Sequence, residues 1–338
     1  MRAPPAPARH GDQARPAARA DSLHQERVRR LTERSPGQWW RLALGTLAFL
    51  ALAFYTRGLL ALALAALLWA AGPTRWWERS LIALLIILGL AFVIPPTLVP
   101  LDAAIGTYTV FATAAFVGGS LVAPGGVLRQ ALRATLWGVA ATGTLGLVMR
   151  GRGFWSELHW STVREMTTIV SYMVERRPEL AVFSSGIVQF LSDAFPALLL
   201  LSTLAALLLA WQWHARIARS PLGDPLGPFH EFRFADQWVW ALVLALIVWA
   251  VPKLAALKWA ALNLGLVLGA LYVLRGTAVV VAVAAAVGVP GWMLAAGAAI
   301  SGALVVPVFV LVPGLWTLGV FDTWLAFRQR RFTRSPAP

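Results

Sequence analysis

Cysteine is absent from the 338 residues, which excludes disulfides, thiolate metal sites and cysteine nucleophiles together. Lysine is almost as scarce. Only Lys253 and Lys258 occur, and every other basic residue is Arg. Charge of any kind is thin, at 13% of residues, where an ordinary soluble domain carries about 25%. The five His (His10, His24, His159, His214, His230) are scattered, and none has a metal-ligand spacing such as H-E-x-x-H. Neither a G-x-S-x-G elbow nor a P-loop is present. Asp224 and Glu231 lie near His230, but the polarity of a loop accounts for them as well as an active site does. The chain is therefore read as a non-enzyme, with no catalytic residue, no metal site and no cofactor.

What remains is apolar. Hydrophobic residues make up 59% of the chain, and the mean hydropathy is +0.69. The formal charge of +14 sits between apolar runs and in the two tails, as positive-inside signals do. Nucleic-acid binding needs basic residues gathered on one face of a folded domain, so it is not expected. The lipid bilayer is the expected surrounding.

Residues 1–41 hold nine Arg and four acids amid repeated Pro and Ala, a composition that predicts a disordered basic tail. Residues 42–327 read as a membrane domain, and 328–338 as a second basic tail. Leu42 to Ala71 would make one helix of about 45 Å, too long for a hydrocarbon core near 30 Å, so a turn at Arg57-Gly58 is expected. Arg75-Trp-Trp-Glu-Arg79 is a basic and aromatic interface anchor before Leu81–Val99. Ile94-Pro-Pro-Thr-Leu-Val-Pro100 must break the helix. Further runs cover 103–122, 134–149, 187–211, 238–251, 260–274, 277–289 and 293–318.

Residues 150–185 are the least lipid-like interior stretch. Thr162 and Glu165 have capping-box spacing, and Val163, Met166, Ile169, Val170, Met173 and Val174 recur with helical period. This predicts an amphipathic interfacial helix, or equally a surface helix packed on neighbouring spans. A polar loop is expected over 212–237. The fold class is thus all-α, a polytopic transmembrane helix bundle of about ten spans, with eight as the rival count. Both tails are basic, which predicts an even count with both termini cytoplasmic in a bacterial inner membrane.

Several stretches of the second half are specific in order and spacing. They are Phe232-Arg-Phe-Ala-Asp236-Gln-Trp238, Leu257-Lys-Trp-Ala-Ala-Leu-Asn263, Leu271-Tyr272-Val-Leu-Arg275-Gly276 and Gly319-Val-Phe-Asp322-Thr-Trp324. Over about residues 185–330 the chain resembles the YybS-like family of bacterial membrane proteins, for which the resemblance implies no reaction and no ligand. In layout alone, the short Gly-rich spans also resemble substrate-binding subunits of energy-coupling-factor importers.

An ionisable or strongly polar residue inside a membrane is a functional candidate. Asp102 and Tyr108 flank Gly106-Thr107 after the Pro-broken third span, where either a dipping loop or an ordinary interface turn would fit. Asp193 lies three residues before Pro196, which leaves a backbone carbonyl without its donor. Asn263, in an apolar run, needs a partner on another helix. Asp102, Tyr108, Asp193 and Asn263 are the candidate ligand-binding residues for a small polar molecule. Arg275-Gly276 reads as a snorkelling charge and a turn, and Asp322 as a local cap or ion pair. A transport or substrate-binding membrane component is the leading function. The alternative is a non-catalytic scaffold or regulator that docks a membrane or cytoplasmic protein through its amphipathic helix and loops.

Overall fold

The computed structural model describes residues 58–72, 75–93, 99–122, 126–218, 220–303 and 305–325. Both tails, the run before Gly58, Arg57 and the Ile94–Thr97 segment lie outside them. The described residues are almost wholly helical and contain no strand.

Gly58 adopts φ 87°, a left-handed conformation that Gly reaches without a side-chain clash, and it opens α1 (Leu59–Ala70). α2 is described over Trp76–Val93, and α3 (Pro100–Val122) begins on Pro100. Proline suits a first helical position because that N–H would have no partner there anyway. The break expected at the Pro-Pro pair lies outside the described residues. Asp102 sits in the first turn of α3, where a carboxylate is favoured by the helix dipole. The segment is an ordinary helix start, not a loop dipping into the bilayer.

α4 (Val127–Arg150) ends at Gly151, φ 65°, and a single 3-10 turn leads into α5 (Phe154–Arg176). Thr162 lies inside α5, and its hydroxyl donates to the Leu158 carbonyl at 2.8 Å. The capping-box reading is thereby corrected, since the helix begins two turns earlier. A 3-10 stretch over Pro178–Phe183 precedes α6 (Ser184–Ile217). At 34 residues, α6 is about 51 Å long and outreaches a hydrocarbon core of about 30 Å.

α7 (Trp238–Ala250) and a 3-10 stretch over Pro252–Leu257 lead to α8 (Lys258–Ala286). Two runs expected to be separate spans are thus one helix, and Arg275-Gly276 is no turn. The last apolar run is described as α9 (Gly291–Ala303) and α10 (Val305–Leu325), with residue 304 between them outside the described residues. Four helical stretches are long and apolar enough to cross a membrane: Pro100–Val122, Val127–Arg176, Pro178–Ile217 and Pro252–Ala286. Four shorter apolar helices accompany them, so the described residues supply four clear spans where about ten were expected.

The core lies where α1 and α3 meet α6. Leu60, Leu67, Phe116 and Leu207 are fully buried there, and the rings of Phe116 and Trp211 meet edge to face at 6.2 Å. On the outside, Ile87, Leu88, Trp137, Trp240 and Trp249 are each more than half exposed. Apolar surface on that scale would be an association patch in water but is the natural exterior in lipid. The segment after α6 folds back on it. Trp211 Nε1 donates to the Asp224 carbonyl at 3.0 Å, and Leu226 N donates to Gln212 Oε1 at 2.9 Å.

Candidate functional site

Four helices and the start of a fifth, α8 with Trp259, line a half-open apolar space. α3 contributes Tyr108, α4 contributes Thr142, α5 contributes Phe154 and His159, and α6 contributes Ser192 and Leu199. The volume is about 280 Å³, near the lower end of the roughly 300–1,000 Å³ usual for small-molecule sites. Gly138 lets α3 approach α4 at this point, because a methyl there would stand 3.0 Å from the Ala112 Cβ and 3.1 Å from the Tyr108 ring.

The walls are apolar apart from a few hydroxyls and the His159 ring. The hydroxyls of Tyr108, Thr142 and Ser192 have no hydrogen-bond partner among the described residues. Tyr108 and Ser192 are 3% and 7% exposed. Thr203 is the polar neighbour of the Tyr108 hydroxyl but lies outside hydrogen-bonding geometry with it, and its own hydroxyl donates to the Leu199 carbonyl at 2.7 Å. Buried hydroxyls ordinarily find a partner, so three without one around a single space mark a place for a ligand.

A second, open groove of about 700 Å³ runs between α5 and α6. It shares His159 and Ser192 with the inner space and adds Gln189 and Asp193. Asp193 is half-buried.

Behind it lies Pro196, which has no N–H and so leaves the helix one rung short. Asn263 of α8 spans the neighbouring rung. Its Oδ1 accepts from Ala197 N at 2.9 Å, and its Nδ2 donates to the Asp193 carbonyl at 2.8 Å. A further bond from Nδ2 reaches the Trp259 carbonyl at 2.9 Å. All of the amide's contacts are to backbone, so Asn263 splices α8 to the proline kink and shapes the wall from behind.

Of the four candidate residues, Tyr108 lines the inner space and Asp193 the groove. Asn263 holds the helix that carries Asp193. Asp102 borders neither space. Sequence reasoning missed Thr142, His159 and Ser192, because a Thr, a His or a Ser on a helix signals nothing until its neighbours are known.

It also misjudged Arg275. That residue is 3% exposed, and its Nε donates to Asp322 Oδ2 at 3.0 Å. Its Nη1 reaches Asp236 Oδ1 at 2.6 Å, and its Nη2 donates to the Asp322 carbonyl at 3.3 Å. The Phe234 ring lies 5.8 Å from its Cζ and 4.9 Å from the Tyr272 ring. Beside this pair α8 and α10 touch, since a methyl on Gly276 would overlap the Leu315 carbonyl and one on Gly319 the Tyr272 carbonyl. The stretches around Asp236, Arg275 and Asp322, far apart in sequence, therefore converge on one buried guanidinium.

An all-α architecture, long apolar helices and a lipid-compatible exterior define a helical membrane protein. Residues 161–323 match the family described as "Predicted membrane protein (DUF2232)", whose function is uncharacterised. The matched segment contains the Arg275 network and the Asn263 splice, but not Tyr108 or Thr142. No curated protein matches the chain, and no solved structure does.

Proposed function

We propose that this chain is a non-catalytic, multi-pass component of the bacterial cytoplasmic membrane that captures a small molecule within the bilayer for transport. The observation that supports this reading is the inner space of about 280 Å³ with three unpartnered hydroxyls on apolar walls. Each such hydroxyl costs about 1–3 kcal/mol when left without a bond, and a ligand with one or two polar atoms relieves that penalty. The bound molecule is mostly apolar, unlike the polar ligand expected from Asp102 and Asp193 alone. With two of the ten expected runs merged in α8, an even span count near the rival eight and two cytoplasmic termini are the proposed topology, on the strength of the basic tails. The YybS-like affiliation rests on the motifs around Asp236, Arg275 and Asp322.

The test is thermal unfolding of the protein in nanodiscs against a panel of small alcohols, amines, sterols and aromatic compounds. A specific ligand at a hundred times its dissociation constant stabilises by about 2.7 kcal/mol. Ala104→Phe, which fills the inner space, is expected to abolish the shift while the protein still folds. Absence of any shift across the panel favours the scaffold reading, with the surface of α5 as the docking face.

A further inference from the structure

The inner space and the groove share two wall residues, His159 and Ser192, and their linings differ in chemistry. We infer that they are the two halves of one site for an amphiphile with an ammonium head, whose chain enters the inner space while the head lies in the groove beside Asp193. This inference rests on the ligand-capturing reading above and names the class of ligand.

The groove's polar lining suits the head. Thr167, Ser171 and Ser184 all line it. Each has already given its proton to a helix carbonyl, of Val163, Thr168 and Ala181 respectively, at 2.7–2.8 Å. Such hydroxyls have only lone pairs left to offer. Asp193, when ionised, is likewise acceptor-only. The carboxylate has no ion pair or hydrogen bond among the described residues.

Gln189, Ser185 and Ser192 also line the groove and keep donors, so the sign of the head is set by Asp193, the one carboxylate of the lining. An ammonium, with three donors and no acceptor, pairs with that carboxylate, whereas a phosphate or carboxylate head would be repelled by its charge. No Lys or Arg lines either half. Aromatic faces add to the preference, because the rings of His159 and Trp160 stand at the groove with centroids 6.0 Å apart, and a cation is drawn to such faces.

The inner half suits the chain. Leu101, Ile105, Phe154, Phe195 and Leu199 make its walls, and its polar groups are a few hydroxyls and the His159 ring that it shares with the groove. Asn263 ties α8 to α6 beside Pro196, one turn from Ser192, which lines both halves.

The experiment compares octylamine with 1-octanol, equal in chain and different in head, by thermal shift and tryptophan fluorescence of the full chain in phosphatidylcholine nanodiscs. The amine is expected to bind about tenfold more tightly than the alcohol, equivalent to about 1.4 kcal/mol. Asp193→Asn should remove that difference while leaving octanol binding in place, which also reports that the variant is folded. Ala104→Phe should weaken both ligands.

Equal affinities that Asp193→Asn does not change would overturn the ammonium assignment and leave ligand capture standing. If neither compound binds, both readings fall. Discs containing phosphatidylethanolamine separate the sources. A smaller octylamine shift there assigns the head to a bilayer aminolipid, and an unchanged shift assigns it to a free amine.

Discussion

Arg275 and Asp322 form an ion pair between α8 and α10 in which both side chains are essentially buried, 3% and 1% exposed, with Nε and Oδ2 at 3.0 Å. The pair lies where the two helices touch at Gly276 and Gly319, so neither partner can swing out to solvent without parting them. Removing Arg275 leaves the buried Asp322 carboxylate without its guanidinium, and removing Asp322 leaves the buried Arg275 only the exposed Asp236, so either loss costs far more than the pair stabilises.

Arg275→Met or Asp322→Ala alone is therefore expected to destabilise by about 3–5 kcal/mol. The double variant Arg275→Met with Asp322→Leu should recover much of that loss. Asp236→Ala should cost no more than about 1 kcal/mol, since its side chain is 63% exposed and screened. Denaturant unfolding in nanodiscs measures all three, and a double variant as weak as either single one would show that the pair is not an isolated unit.

Gly276→Ala and Gly319→Ala each place a methyl against a backbone carbonyl of the facing helix. Neither carbonyl belongs to a flexible side chain, so the helices must separate. Losses of at least about 1–3 kcal/mol are expected. Gly265→Ala is the control, because nothing stands within 4 Å of a methyl there, and it should leave stability unchanged or slightly raised.

Asn263→Ala leaves the Ala197 N–H and the Asp193 carbonyl without their partner and is expected to cost about 1–3 kcal/mol. In a Pro196→Ala background α6 can close its own rung, so the same substitution should cost less. A double-mutant cycle is expected to give a coupling of roughly 0.5–3 kcal/mol. Strict additivity would mean that the amide is not compensating for the proline.

Because the chain lacks cysteine, any introduced thiol is the only one. Single cysteines placed at residues 2 and 334 are expected to react with an impermeant maleimide only after the cytoplasmic face is opened. Labelling of either in intact cells would reverse the proposed orientation.

Much of the class was legible in the residues themselves. Scarce charge, long apolar runs and basic tails identify lipid as the solvent, because burial of backbone in hydrocarbon tolerates little but helix. The helix start on Pro100 is equally local, since proline at a first helical position forgoes no hydrogen bond. Asn263 announced that it needed a partner on another helix, and it has one.

Arg275 shows where such reading stops. A charge in an apolar run reads as snorkelling or as paired according to whether an acid faces it, and Asp322 is 47 residues away. The same holds for Tyr108, Thr142 and Ser192, ordinary helix residues until three helices bring them around one space. Composition and local stereochemistry thus determined helix, lipid and break points. Only the tertiary structure decided which polar groups meet, because that depends on how helices pack and not on the order of residues within any one of them.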